Sequence, residues 1–248
     1  MTRWKITLEY EGTAFCGWQK QENALSVQQT LEEALKKLTQ EDVPTIVAGR
    51  TDSGVHATGQ VAHFDLAKDF DADTMENALN FHMRPHPVVV LKAEPVSEAF
   101  HARFGAVQRS YRYLILNRRS PSALLKNRAW HIIHPLALPP MQEAARLLIG
   151  KHDFSTFRAA GCQSSGPIRT LDSIALRQEG AIITLEVGAR SFLYHQIRNI
   201  VGTLTLVGKG QWSVGAFHAA FEAADRTKGG PTAPAHGLYF ENVKYSDA

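Results

Sequence analysis

The chain has 248 residues, 44% of them hydrophobic, and a formal net charge of +3. That is enough for one large domain or two modest ones with a sizeable core. No run of 18 or more apolar residues occurs, and the two cysteines, Cys16 and Cys162, belong to no CxxC or Cys/His spacing, so neither a membrane span nor a zinc site is expected.

The first element is a half-buried strand, because Trp4, Ile6, Leu8 and Tyr10 alternate with Lys5, Thr7 and Glu9. Met1-Thr2-Arg3-Trp4-Lys5 leads straight into it, with no secretory leader expected, and the reading is of a cytoplasmic protein. A loop follows over 11–18. Ser26 and Gln29 form a capping-box pattern that opens a helix to about Thr39, with Val27, Leu31, Leu35 and Leu38 on one face. Strands are predicted near 44–49 and 58–66, a helix over 73–81, and a strong strand at 88–91. This order, β-α-β-β-α-β, is the split βαβ of a ferredoxin-like unit.

The remaining chain repeats the grammar. A strand is predicted over 108–116, a helix over 141–149 after Pro139-Pro140, and strands near 169–177 and 181–188. A long helix over 192–207 carries Leu193, Ile197, Ile200, Val201 and Leu204 at core spacing. A shorter helix over 214–224 and a strand over 238–245 complete it. The expected fold class is α+β. Two ferredoxin-like halves, 1–105 and 106–248, would share a central, mostly antiparallel sheet with a cleft between them.

The charge is unevenly spread. Residues 1–100 carry 9 Lys/Arg and 15 Asp/Glu, a net of −6, while residues 101–248 carry 18 and 9, a net of +9. From Ala99 to Gln142 there is no acid, only Arg103, Arg109, Arg112, Arg118, Arg119, Lys126 and Arg128 among tyrosines and Trp130. Solvated basic faces normally alternate with carboxylates. An acid-free stretch with interleaved aromatics reads as a surface for a polyanion, with nucleic acid first.

Three constellations carry candidate chemistry. In Gly49-Arg50-Thr51-Asp52-Ser53-Gly54-Val55-His56-Ala57, a carboxylate sits in a tight turn directly after a short apolar run. A guanidinium two residues away favours its ionised form, and such a carboxylate is a usable nucleophile. The plain alternative is a turn aspartate that bonds only its own backbone. In Arg109-Ser110-Tyr111-Arg112-Tyr113, strand geometry puts Arg109 and Tyr111 on one face, a stacking platform for a base or, equally, the rim of a core. In the 192–207 helix, Tyr194, Arg198 and Gly202 fall on one line beside the apolar stripe, and Arg198 either reaches a site or runs out to solvent.

Together these segments resemble the TruA-type family of tRNA pseudouridine synthases. The match runs through Tyr10-Glu11-Gly12-Thr13-Ala14-Phe15-Cys16-Gly17-Trp18-Gln19, the 49–57 turn, Phe100-His101-Ala102-Arg103-Phe104, the 109–113 strand, Phe154-Ser155-Thr156-Phe157, and Phe192 to Gly202. Two places depart from the family pattern: Glu11, where the family's opening usually has Asp, and a more polar 81–86 segment.

The resemblance implies isomerisation of uridine to pseudouridine in the anticodon stem-loop of tRNA, at positions 38, 39 and 40. It implies no metal or organic cofactor, and a homodimer with the tRNA lying across both subunits. It assigns the essential aspartate to Asp52, its arginine partner to Arg198, and the neighbouring arginine of the turn to Arg50. The substrate-stacking tyrosine is Tyr111, with Arg109 and Leu193 also on the substrate side. Two rivals stand beside it: a non-catalytic RNA clamp, and an aspartyl hydrolase of small substrates with His56 as its base.

Overall fold

A computed structural model describes residues 1–246. They fall into two compact units, Met1–Arg109 with the chain from Tyr239 onward, and Ser110–Leu238. Each is α+β with mostly antiparallel strands.

The first unit contains β1 (Thr2–Tyr10), α1 (Val27–Thr39), β2 (Ile46–Val47), β3 (His56–Leu66), α2 (Ala72–His82) and β4 (Val88–Val96). β1 lies between β3 and β4 and is antiparallel to both; β2 is antiparallel to β3. This is the strand order of a ferredoxin-like unit. The last strand, β10 (Leu238–Tyr245), runs parallel to β3 through Tyr239–His56 and Phe240–Ala57. The alternation of β1 has its predicted consequence: Trp4, Ile6, Leu8 and Tyr10 are buried, as are Val27, Leu31, Ala34 and Leu35 of α1 and Met75 and Leu79 of α2. Ser26 caps α1, its Oγ accepting the Gln29 N–H at 3.1 Å. The Gln29 side chain donates to Glu33 instead of reaching back, so only half of the capping box forms.

β2 is much shorter than the 44–49 predicted. Thr45 is claimed by α1, its N–H and hydroxyl both donating to Glu32 Oε1 at 3.0 and 3.1 Å. Past Val47, the Ala48 and Gly49 carbonyls are taken by side chains rather than by a neighbouring strand.

His63, on β3, is 2% exposed, and its Nδ1 accepts the Ala102 N–H at 3.1 Å. Burial first, then the Arg3 charge, pushes its pKa down to about 4. The folded state thus resists a proton that the unfolded chain accepts near pH 6.5. The His63 contribution to stability is present above about 6.5 and is lost as pH falls towards about 4. Thermal melts across this window should show the acid limb, and His63→Asn, which retains an acceptor for Ala102 N–H, should flatten it. An unchanged limb in that variant would assign the loss to other groups.

The second unit contains most of β5 (Ala106–Asn117), then β6 (Trp130–Ile132), α3 (Leu138–Arg146), β7 (Gly150–Asp153), β8 (Ile168–Glu179), β9 (Ile182–Ala189), α4 (Gln196–Gly208) and α5 (Val214–Glu222). Its strand order is β5-β9-β8-β7, with β6 parallel to β5. The short strands β6 and β7 were not predicted. α3 starts three residues before expectation, because Pro139 and Pro140 sit inside its first turn, where a missing N–H costs nothing.

α4 starts four residues after expectation. Its N-cap, His195, takes φ +58°, and the Gln196 side chain turns back so that Oε1 accepts the Leu193 N–H at 2.8 Å. Tyr194 therefore lies outside the helix, and only Arg198 and Gly202 of the predicted line share it. Among the described residues no helix is long and apolar enough to cross a membrane.

Candidate active site

The Asp52 turn is moulded by the loop before α1. Gly17 pairs with Asp52 in an isolated antiparallel bridge, and the Trp18 N–H donates to Thr51 O at 3.0 Å. Phe15 O receives the Gly54 N–H (3.4 Å) and the Ser53 hydroxyl (3.2 Å), while Val55 N–H closes the turn on Asp52 O at 3.1 Å. Gly17 has φ +107°, and a Cβ there would stand 2.5 Å from Thr51 O, so both conformation and space demand glycine. Of the two glycines flanking the turn, it is Gly54 that takes a positive φ, +77°.

Beneath the turn runs a buried polar network. The Tyr10 hydroxyl meets Thr51 Oγ1 at 2.8 Å, and Gln60 Nε2 donates to Gly49 O at 2.7 Å and, more weakly, to Tyr10 Oη at 3.4 Å. Burial pushes the Tyr10 pKa up to about 12, so this phenol keeps its proton near neutrality. Above it Thr51 is buried, Asp52 half-buried and Arg50 exposed. The main chain of this half-buried aspartate is therefore fixed by its neighbours.

His56 has a different task from the one a hydrolase would need. It is 2% exposed, and its Nδ1 accepts the Gly12 N–H at 2.9 Å. Glu11 Oε1 lies 3.6 Å from the same nitrogen. A nitrogen accepting an amide carries no proton, so this approach is not an ion pair through Nδ1.

Arg109 is buried. Its Nε and Nη2 donate to Ala48 O at 3.1 and 2.8 Å, Nη2 also to Arg103 O, and Nη1 to Ala106 O at 3.4 Å. This guanidinium is engaged by main-chain carbonyls, whereas Arg103, Arg118, Arg119, Lys126 and Arg128 of the acid-free stretch are exposed.

The other expected site residues lie in the second unit. Tyr111 is 9% exposed, its ring edge-on to Phe192 with centroids 5.2 Å apart. Leu193 is buried at the entry to α4. Arg198, half-buried in the first turn of α4, donates from Nε to Ala233 O at 2.8 Å, and its own carbonyl accepts the Ala233 N–H at 3.0 Å.

That reciprocal pair belongs to a strap over α4 that the sequence reading passed by. Asn199 Oδ1 accepts from Arg226 (3.2 Å) and Thr232 (2.6 Å), while Gly230 N–H donates to Thr203 Oγ1 at 2.9 Å. The available signals were two polar residues one turn apart, Asn199 and Thr203, inside an apolar stripe, and the breaker-rich run Gly229-Gly230-Pro231-Thr232-Ala233-Pro234. Among the described residues no group of three His, Cys, Asp or Glu is placed to hold a metal ion.

Comparison with known proteins gives the family of the chain. The profile of the tRNA pseudouridine synthase family matches residues 6–105 and 144–246. A protein named tRNA pseudouridine synthase A from Rhodospirillum centenum is 52% identical over 245 residues, covering 99% of this chain and 100% of its own. One of the same name from Paramagnetospirillum magneticum is 54% identical over 246 residues, covering 99% and 96%. A solved chain of a Cbf5-Nop10-Gar1 complex aligns over 81% of this chain and 53% of its own, at TM-score 0.34 and 11% identity, too distant to argue from. With a profile spanning both units and relatives matched end to end at half identity, the chain belongs to the tRNA pseudouridine synthase family, a family of isomerases.

Proposed function

We propose that this protein converts uridine to pseudouridine in the anticodon stem-loop of tRNA, at positions 38, 39 and 40, with Asp52 as the reacting carboxylate. The observation that carries the reading is the turn itself, a half-buried aspartate on a backbone fixed by Gly17, Trp18 and Phe15.

The reaction breaks the N1–C1′ bond, turns the uracil and joins C5 to C1′, after which the C5 proton leaves to solvent and N1 takes a proton from it. The base must first leave its stack, at a cost of a few kcal/mol. Phosphate contacts from the exposed arginines and lysine of the acid-free stretch offset part of it. Tyr111 stacks on the uracil and keeps it after detachment, an interaction worth about 1–3 kcal/mol, and Leu193 closes the apolar side. Three routes are open to Asp52: addition to C6, attack on C1′, or removal of the C2′ proton. Arg198 aims the carboxylate, and Arg50 adds positive charge in the same turn. The working species is a homodimer in the cytoplasm, with the tRNA across both subunits, and no cofactor takes part.

The direct test is incubation with tRNA tritiated at uridine C5. Tritium release and pseudouridine confined to the anticodon arm are expected. Binding of the tRNA with every uridine intact would instead favour a non-catalytic clamp. Arg198→Ala should cost about 1.5–3 kcal/mol of stability, the worth of a hydrogen bond from a charged donor. Its single-turnover rate at saturating tRNA, measured well below the melting temperature, should fall as well. A native rate in that variant would remove Arg198 from the chemistry.

A further inference from the structure

We infer that Arg109 and Gln60 form a clamp that positions the Asp52 turn; the inference rests on Asp52 being the reacting carboxylate. Ala48 and Gly49 are the last two residues before Arg50-Thr51-Asp52, in the bend that follows β2. Each is gripped by a buried side chain. Arg109 gives Ala48 O two donors, at 3.1 and 2.8 Å, and Gln60 gives Gly49 O one, at 2.7 Å. The grips come from different strands, Gln60 from β3 and Arg109 from the start of β5.

Neither side chain is a surface group. Gln60 has no exposed area, and its Oε1 accepts the Val61 N–H at 3.2 Å, which fixes the direction of its amide. The Arg109 guanidinium simultaneously holds Arg103 O and Ala106 O, so it cannot turn towards a phosphate without releasing three carbonyls. Two residues past the grips Thr51 is tied through its hydroxyl to Tyr10, and Asp52 comes next. The clamp also sets Arg109 as a fixed point two residues before Tyr111 along β5. Buried charge is expensive unless its donors are engaged. Here a buried guanidinium holds three main-chain carbonyls where the chain enters a reactive turn.

The test compares Arg109→Lys and Gln60→Met with the native chain. A lysine keeps the charge but cannot span Ala48, Arg103 and Ala106, and methionine keeps the bulk of glutamine without its donor. Readouts are tritium release from C5-labelled uridine in tRNA well below the melting temperature, tRNA Kd over a salt series, and melting temperature. Expected is a fall in kcat on the order of 10²-fold, as a misplacement of about 1 Å produces. The tRNA Kd should stay within about twofold and its salt slope should not change.

A Kd weakened about tenfold, with a salt slope smaller by about one, would make Arg109 a phosphate contact and overturn the inference. Native kcat in both variants, whatever their melting temperatures, would overturn it as well. If Arg109→Lys does not fold, Gln60→Met decides by the same criteria. Asp52→Asn is assayed alongside. Native turnover in that variant removes the catalytic reading itself, whereas inactive Asp52→Asn with fully active clamp variants removes only the clamp.

Discussion

Asp52→Asn should bind tRNA within about twofold of the native chain and form pseudouridine slower by a factor on the order of 10⁴ or more, the scale on which removal of a reacting group is felt. The two effects separate because of how the turn is built. The bonds described for Asp52 itself are backbone ones, the bridge to Gly17 and the Val55 N–H to its carbonyl, and Phe15 O holds Ser53 and Gly54 beside it. An asparagine has the same shape and keeps these backbone bonds. It also removes one negative charge from the path of an anionic ligand, which does not weaken binding. All three routes open to Asp52 need an ionised oxygen, and an amide supplies none. Equilibrium binding by filter retention and tritium release at saturating tRNA measure the two sides independently. Turnover at the native rate would end the assignment.

Gly202→Ala should lower stability by about 3 kcal/mol or more, in the range of clashes within a packed interior. In an exposed helix this change is favourable by about 1 kcal/mol, so the sign depends on what the new methyl group meets. Here it would stand 1.7 Å from Pro231 O, a main-chain atom that cannot swing aside. The strap over α4 must lift, breaking the bonds from Arg198 Nε to Ala233 O, from Ala233 N–H to Arg198 O and from Gly230 N–H to Thr203 Oγ1. For a chain of this size that corresponds to a melting temperature lower by roughly 10 °C. Gly215→Ala is the control, since its Cβ would meet nothing closer than Ser213 Oγ at 3.7 Å. A Gly202→Ala melt equal to that of the native chain would show that the strap does not press on the helix.

Much of the architecture was legible because it rests on local pattern. The alternation from Trp4 to Tyr10 names its own buried face, and Ser26 before Val27 marks a helix start by a bond only three residues long. What escaped depends on distant partners. β6 and β7 are short segments that gain their strand character from β5 and β8. α4 continues the helical spacing backwards to Phe192, yet Gln196 turns its side chain onto Leu193 and ends the helix there. At the candidate site the glycines and charges of the Asp52 turn stand together in sequence and could be read. The task of Arg109 could not, because Ala48 is 61 residues away and periodicity gives only the face of a strand, not the carbonyls waiting on it. The strap escaped for the same reason, with Asn199 and Thr232 separated by 33 residues.

The parallel pairing of β10 with His56 and Ala57 bears on biosynthesis. A ribosome delivers Asp52 early, but the strand that borders the end of its turn emerges only after all of 110–238 has been made. The nascent amino-terminal unit therefore waits with an open sheet edge at the reactive turn. A product released before Tyr239 would contain every residue assigned to the chemistry and still lack the strand that completes the unit carrying its carboxylate.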